Sequence, residues 1–155
     1  MAANVRLGHI GVPAQNPRQL ATFYHELLGL EVTLEGTLPA LGEFIFLSDR
    51  PEEETQTLAF MTSPRARHIA WKVESLAMLK ALFAQAKAHG ISIDRVLNHR
   101  ATLSLYLHDP EGNGIEVYWP TGQTVEGLFA EPVDIAQLEQ PDSALLDLIF
   151  RSSTA

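Results

Sequence analysis

Two short stretches of the sequence share one pattern: GHIGV at residues 8–12 and RHIAW at residues 67–71. Each places one histidine inside a run of mostly apolar residues, which is typical of a β-strand with a buried face. The two histidines, His9 and His68, are 59 residues apart. The segments that follow the two stretches also occur in the same order, so the sequence predicts a strand–helix–three-strand unit that occurs twice.

The first repeat covers about residues 5–61 and begins with a strand at residues 5–12. Asn16 and Pro17 then mark the start of a helix, because asparagine caps helices and proline favours the first helical position. Gly29 ends this helix, since glycine readily adopts the left-handed conformation of a C-terminal cap. Three short strands follow, at residues 31–34, 43–48 and 57–61.

The second repeat covers about residues 67–119 and begins with a strand at residues 67–73. Ser75 caps a helix that has one apolar face and ends at His89-Gly90. Three strands are predicted after this helix, at residues 93–97, 103–108 and 114–119. The order of elements is therefore the same as in the first repeat.

An extension at residues 120–155 follows the two modules, and the whole chain, residues 1–155, is predicted to be a single domain. Two short helices are expected in the extension, at residues 132–138 and 143–150. A fold this small offers little room for the apolar residues of the second helix, so we expect a homodimer or a higher homo-oligomer. These residues are Leu145, Leu146, Leu148, Ile149 and Phe150.

Composition and charge limit the classes of partner. Hydrophobic residues make up 46% of the chain and charged residues 19%, as in an ordinary globular protein. The net charge of −8 disfavours nucleic acid and anionic membranes as partners, and no apolar stretch approaches the length of a membrane span. The chain has no cysteine and no visible signal peptide, so we expect a cytoplasmic protein. No glycine-rich phosphate loop occurs, so we expect a small-molecule substrate and no nucleotide cofactor.

Three side chains in predicted strands have the chemistry of a metal site. His9 and His68 occupy the same point of their repeats, so approximate two-fold symmetry would bring their imidazoles to one pocket. Glu116 lies in an apolar strand, where a carboxylate is expected to be buried and to need a partner. Two imidazoles and one carboxylate suit Fe(II), with Mn(II), Zn(II) or Ni(II) as alternative divalent metals. A single strand histidine is more often a core residue, but three such side chains together favour the metal site.

The repeat, the two strand histidines and the segment LYLHDPEGNGIEVYW at residues 105–119 resemble the vicinal oxygen chelate superfamily. That superfamily includes glyoxalase I, bleomycin-resistance proteins, fosfomycin-resistance enzymes, methylmalonyl-CoA epimerases and extradiol ring-cleavage dioxygenases. The resemblance covers about residues 5–119. It implies an α+β fold in which two βαβββ modules form a cupped sheet around the metal, followed by a C-terminal extension. It also implies that the metal ligands are His9, His68 and Glu116.

Within the superfamily, the second module is most similar to extradiol dioxygenases. In those enzymes a tyrosine precedes the ligand glutamate by ten residues, as Tyr106 precedes Glu116, and a histidine lies shortly before it, as His99 does. This similarity implies that Tyr106 and His99 contact the substrate. Strand alternation also places Tyr106 on the face opposite to the leucines of its strand. The plainer alternatives are that Tyr106 fills the cup and that His99 is a solvated loop residue.

One position departs from the dioxygenase pattern. Gln56, in the segment TQTLAF at residues 55–60, stands where those enzymes carry an acid/base histidine, and glutamine cannot transfer protons at neutral pH. Its amide can still hydrogen-bond a substrate. Glyoxalase I takes a fourth ligand from the same region, usually a carboxylate, for which Gln56 would be an unusual substitute. The fosfomycin-resistance enzymes share the ligand count but need a cationic pocket, for which the candidates are Arg65, Arg67 and Arg100.

The sequence therefore favours an Fe(II)-dependent oxidoreductase of the extradiol dioxygenase type that acts on a small catechol-like substrate. The expected catalytic residues are Tyr106, His99 and Gln56. A glyoxalase-type isomerase or lyase on the same frame is the first alternative. A binding protein of the bleomycin-resistance type, which needs no metal, is the second.

Overall fold

The computed structural model describes residues 4–151, and within them it has nine β-strands and three α-helices. These residues divide into two compact units. The first unit is Leu7–Ala70, and the second consists of the described residues on either side of it. The predicted α+β class of the vicinal oxygen chelate fold is confirmed.

The first unit contains a strand, a helix and three further strands, in the predicted order. The elements are β1 (Arg6–Pro13), α1 (Pro17–Leu28), β2 (Glu31–Leu38), β3 (Gly42–Ser48), β4 (Leu58–Met61) and β5 (His68–Lys72). The strands lie in the order β2-β3-β4-β1-β5, in which the pairs β2–β3 and β3–β4 are antiparallel and the pair β4–β1 is parallel. Strand β5 begins in this unit and continues into the second.

Local signals set the ends of α1. The side chain of Asn16 accepts a hydrogen bond from the backbone N–H of Gln19 at 3.0 Å, so it satisfies one of the unpaired donors of the first turn. Gly29 ends the helix with a φ of 72°, the left-handed conformation that glycine adopts without steric cost. The helix packs on the strands through a core formed by Ala21, Leu30, Ile45, Leu47 and Phe60.

The second unit repeats the order and adds the extension. Its further elements are α2 (Leu76–Ala88), β6 (Ile93–Asn98), β7 (Thr102–His108), β8 (Gly114–Pro120), β9 (Glu131–Val133) and α3 (Asp142–Arg151). The strands lie in the order β5-β8-β7-β6-β9, and the pairs β8–β7, β7–β6 and β6–β9 are antiparallel. Two 3₁₀ helices are also described, Pro64–Ala66 in the first unit and Ile135–Glu139 in the second.

The extension differs from its prediction at one element. The expected helix at residues 132–138 is instead the short strand β9 followed by a 3₁₀ helix. Val133 pairs with Val96 of β6, and this long-range backbone pairing outweighs the local preference of the segment. The second expected helix is present as α3.

The apolar side chains of α3 divide between the core and the surface. Leu145 and Ile149 are fully buried in a core that they share with Leu138, Leu146 is partly buried, and Leu148 and Phe150 are exposed. The homo-oligomer expected from this segment stays a prediction. No helix within residues 4–151 is long and apolar enough to cross a membrane.

Candidate metal centre

Two histidine side chains face each other in the first unit. His9 lies in the middle of β1 and is only 6% exposed, and His68 begins β5 directly after a 3₁₀ helix. Their Nε2 atoms are 3.0 Å apart, and their rings stand almost perpendicular, at 87°. The repeat position that suggested a shared role thus corresponds to direct contact between the two imidazoles.

A backbone carbonyl sets the tautomer of His68. Its Nδ1 lies 2.6 Å from the carbonyl oxygen of Ala66. Because a carbonyl only accepts, Nδ1 must carry the hydrogen, and in the neutral ring Nε2 then presents its lone pair toward His9. A hydrogen bond of this kind is the usual support of a metal-binding histidine, since it fixes both the tautomer and the ring orientation.

Gly11 lets the His68 ring approach β1. A Cβ atom at this position would lie 2.5 Å from the Ala66 carbonyl oxygen and 2.6 Å from His68 Nδ1. Both distances are shorter than real Cβ contacts allow. The GHIGV stretch therefore contributes twice to the candidate site: His9 is a candidate ligand, and Gly11 leaves room for the ring of His68, the other candidate.

Gln56 reaches the same pair of histidines. Its Nε2 lies 3.2 Å from His9 Nε2, since it precedes β4 and β4 runs beside β1 with Leu58 opposite Ile10. With this amide as the donor, His9 Nε2 is an acceptor, and two acceptor nitrogens then face each other. Two nitrogens bound at a right angle to one ion, each at about 2.1 Å, are about 3.0 Å apart, so the donor pair fits a divalent metal.

Glu116 lies in β8 of the second unit and is 4% exposed. With His9 and His68 of the first unit, it makes up a set of side chains of the kinds that could hold a metal ion. A set of two imidazoles and one carboxylate leaves coordination positions for other ligands, as in mononuclear non-haem iron sites.

A tyrosine–histidine pair accompanies Glu116 in the second unit. Tyr106 lies directly opposite Glu116 across β7 and β8, and its hydroxyl is 2.9 Å from His99 Nε2. His99 Nδ1 is 2.6 Å from the carbonyl oxygen of Phe129, so Nδ1 carries the hydrogen and Nε2 accepts from Tyr106. Burial, and then the charge of Glu116, raise the pKa of Tyr106 well above its usual value, so the phenol keeps its proton.

The family model of the Glyoxalase/Bleomycin resistance protein/Dioxygenase superfamily matches residues 6–117, well over half of the chain. The chain belongs to this superfamily. The family resemblance found in the sequence is thus confirmed. No curated protein matches the chain.

Solved structures with the superfamily fold include enzymes of different reaction types. The 2,3-dioxygenase LapB from Pseudomonas sp. KL28 matches with a TM-score of 0.62 and 18% identity over 81% of this chain and 43% of its own. A Mn(II)-bound glyoxalase from Novosphingobium aromaticivorans matches with a TM-score of 0.61 and 20% identity, over 84% and 40% of the two chains. A methylmalonyl-CoA epimerase from Mycobacterium tuberculosis matches with a TM-score of 0.59 and 17% identity, over 78% and 92%.

This chain spans less than half the length of LapB and of several other dioxygenases that it resembles. At these low identities the likeness establishes the fold, and the reaction has to be argued from the side chains.

The position of one arginine beside Tyr106 was not predicted from the sequence. The guanidinium carbon of Arg95 on β6 lies 4.5 Å from the centre of the Tyr106 ring. Arg95 lies directly opposite Tyr106 in the pairing of β6 with β7. The register of β6 shifts between Ile93 and Arg95, so counting residues along the strand does not predict this pairing. His99 is half-buried and hydrogen-bonded, so the alternative of a solvated loop residue is wrong.

Proposed function

We propose that this protein is a metal-dependent extradiol-type dioxygenase that cleaves the ring of a small catechol-like substrate. In such a reaction the ring bond beside the diol breaks, and both oxygen atoms of one O₂ molecule enter the product. The observation that carries the proposal is the hydrogen bond of 2.9 Å between Tyr106 and His99, on the strand next to Glu116. This pair offers a phenol donor and an imidazole acceptor within the unit that carries the carboxylate ligand.

In this proposal the metal is Fe(II), held by His9, His68 and Glu116. Mn(II), Zn(II) and Ni(II) are the alternatives, because imidazole and carboxylate ligands also suit these ions. When bound, the ion would supply Lewis acidity and hold the reactants close together. The hydrogen bond from His68 Nδ1 to Ala66 supports this role, because it fixes the tautomer in which Nε2 of the neutral ring carries the lone pair.

The protein's own side chains would orient the substrate and move its protons. Without substrate, the Tyr106 hydroxyl donates its one hydrogen to His99 Nε2. Substrate binding would replace this hydrogen bond. The Tyr106 hydroxyl, which its raised pKa keeps protonated, would then donate to a substrate oxygen. His99 Nε2 would accept a proton from a substrate hydroxyl, because the Phe129 carbonyl holds the other hydrogen on Nδ1. His99 is therefore the candidate general base, and Tyr106 is the candidate for binding a substrate oxygen.

Gln56 weakens the proposed catalysis. Its amide lies 3.2 Å from His9 Nε2, so it reaches the histidine pair but has no group that exchanges a proton near neutral pH. General acid–base help is typically worth about 10²–10⁴-fold in rate. We therefore expect slow ring cleavage by the natural sequence.

The same residue favours a second candidate function, a glyoxalase-type isomerase or lyase. The Gln56 side chain reaches His9 through its amide nitrogen, and rotation of the amide by half a turn would present its oxygen there as a neutral fourth metal ligand. A binding protein of the bleomycin-resistance type is less well supported, because binding alone does not need a group of two histidines and a buried carboxylate.

Oxygen consumption distinguishes these functions. The protein is loaded anaerobically with Fe(II) and screened with substituted catechols in an oxygen electrode, and the variant His68→Ala serves as the background. Uptake above this background, together with formation of a yellow ring-cleaved product, supports the dioxygenase. Background rates across the whole panel, with metal bound in the natural protein, would move the assignment to the isomerase or lyase.

A further inference from the structure

A row of three side chains crosses the sheet of the second unit. Arg95 on β6 is directly opposite Tyr106 on β7, and Tyr106 is directly opposite Glu116 on β8. Directly opposite residues of antiparallel strands project from the same face. Arg95 and Glu116 therefore share one face and are two strands apart, which corresponds to about 10 Å between their backbones.

Arg95 is held over Tyr106 and remains accessible to a ligand. The residue is exposed, and its guanidinium carbon lies 4.5 Å from the ring centre, within the range of a cation–π contact. A guanidinium that stacks on a ring by its face keeps its N–H donors at its edge. Those donors match the two oxygens of a carboxylate, which arginine binds in bidentate fashion.

The charge of Arg95 is not neutralised by the protein. Several basic side chains pair with carboxylates, as Arg18 pairs with Glu35 and Lys80 with Asp142. Within residues 4–151, Arg95 forms no ion pair with an aspartate or glutamate. The neighbouring acid, Asp94, instead contacts His108 Nδ1 at 2.6 Å. The guanidinium beside the proposed catalytic tyrosine is therefore available to pair with an anionic group of a ligand.

We propose that Arg95 makes this site selective for a catechol that carries a carboxylate. This inference rests on the proposed function and names its substrate class. The two hydroxyls of the substrate would lie toward Glu116, and its carboxylate would lie toward Arg95, on the other side of Tyr106. The negative charge of the protein disfavours anionic ligands in general, so the selectivity depends on this one side chain.

Binding and turnover are measured separately, so that the two proposals can fail independently. Zn(II)-loaded protein, which cannot carry out redox chemistry, is titrated by calorimetry with catechol and with 3,4-dihydroxybenzoate. Oxygen uptake with both compounds is then measured on Fe(II)-loaded protein. The variants are Arg95→Gln and Arg95→Lys, and Arg50→Gln is the matched control, since Arg50 is an exposed arginine of the first unit that contacts Asp49. Circular dichroism melts verify that each variant is folded.

The natural protein is expected to bind 3,4-dihydroxybenzoate about tenfold more tightly than catechol, the lower end of the range for charged hydrogen bonds because Arg95 is exposed. Arg95→Gln removes this preference. Arg95→Lys keeps part of it, and Arg50→Gln keeps all of it. Raising the salt concentration weakens the binding of 3,4-dihydroxybenzoate but not that of catechol.

Equal binding of the two compounds, failure to bind either, or a preference that survives in Arg95→Gln would overturn the inference, even if catechol is cleaved. A preference that depends on Arg95 without oxygen uptake would leave the inference standing and refute the proposed dioxygenase.

Discussion

Replacement of Gly11 by alanine tests how the two proposed metal-ligand histidines, His9 and His68, are positioned. The new Cβ would lie 2.6 Å from His68 Nδ1, whereas ordinary contacts begin at 3.4 Å, so the ring must move by about 0.8 Å. The second contact, at 2.5 Å, is with the backbone oxygen of Ala66, which cannot turn away as a side chain can. Movement of the ring lengthens the hydrogen bond from Nδ1 to this oxygen, which is 2.6 Å in the natural protein.

Two opposing effects set the size of the change in stability. Overpacking a well-filled position costs about 1–3 kcal/mol. Replacing glycine by alanine restricts the unfolded chain, which offsets about 0.4–1 kcal/mol of this cost. The steric effect is larger, so we expect Gly11→Ala to be destabilised but folded. Loss of the supporting hydrogen bond should lower metal affinity by about 10–100-fold.

The assay is a titration with Co(II), followed by the visible absorption of the bound ion, together with a thermal melt of the metal-free protein. Gly36→Ala is the matched control. The added Cβ would meet only the end of the Phe44 ring, at 3.1 Å, and neither of the two histidines. A folded Gly11→Ala variant that binds Co(II) as tightly as the natural protein would refute the reasoning.

Three further predictions concern the ligands, the proton-transfer position and a turn. His68→Ala should lose most of its bound metal, as measured by mass spectrometry of metal content, while its circular dichroism spectrum stays native. Gln56→His should speed ring cleavage by about 10²–10⁴-fold without a change in metal content, whereas an unchanged rate would argue against the dioxygenase. Hydrogen bonds from the side chain and backbone of Asn113 lower the pKa of Asp109 below 3.8 in the folded protein. Ionised Asp109 therefore stabilises the turn between β7 and β8 above pH 3.8, and this contribution is lost as the pH falls through the lowered pKa. Asp109→Ala should consequently reduce the melting temperature at pH 7 more than at the lowest pH at which the protein stays folded.

Local signals allowed the sequence to predict most of the first unit. Asn16 and Gly29 specify the ends of α1 through their own hydrogen bonding and backbone conformation, and both act as expected. The contact between His9 and His68 was also predictable, because a repeat places equivalent residues in equivalent strands. These features depend on short-range chemistry or on internal symmetry, and both are visible in one sequence.

Features that depend on distant pairing were harder to predict. Val133 forms a strand because it pairs with Val96, and the segment itself has proline and acidic residues that favour a helix start. Gln56 contacts His9 because β1 and β4 pair in parallel. A helix and two strands separate β1 from β4 along the chain, so the sequence gives no direct sign of this pairing. In each case the partner lies tens of residues away, and local propensity carries no information about it.

The hydrogen bond from His99 to the Phe129 carbonyl ties one proposed functional group to a part of the chain outside the two repeats. Each repeat contributes one of the proposed ligand histidines from the same position. The orientation of His99, however, depends on a backbone oxygen in the extension. A chimera that exchanges residues 120–155 for the tail of another superfamily member is therefore expected to keep the contact between His9 and His68 and to change the orientation of the proposed base. The two histidines and the proposed base can thus be altered independently of each other.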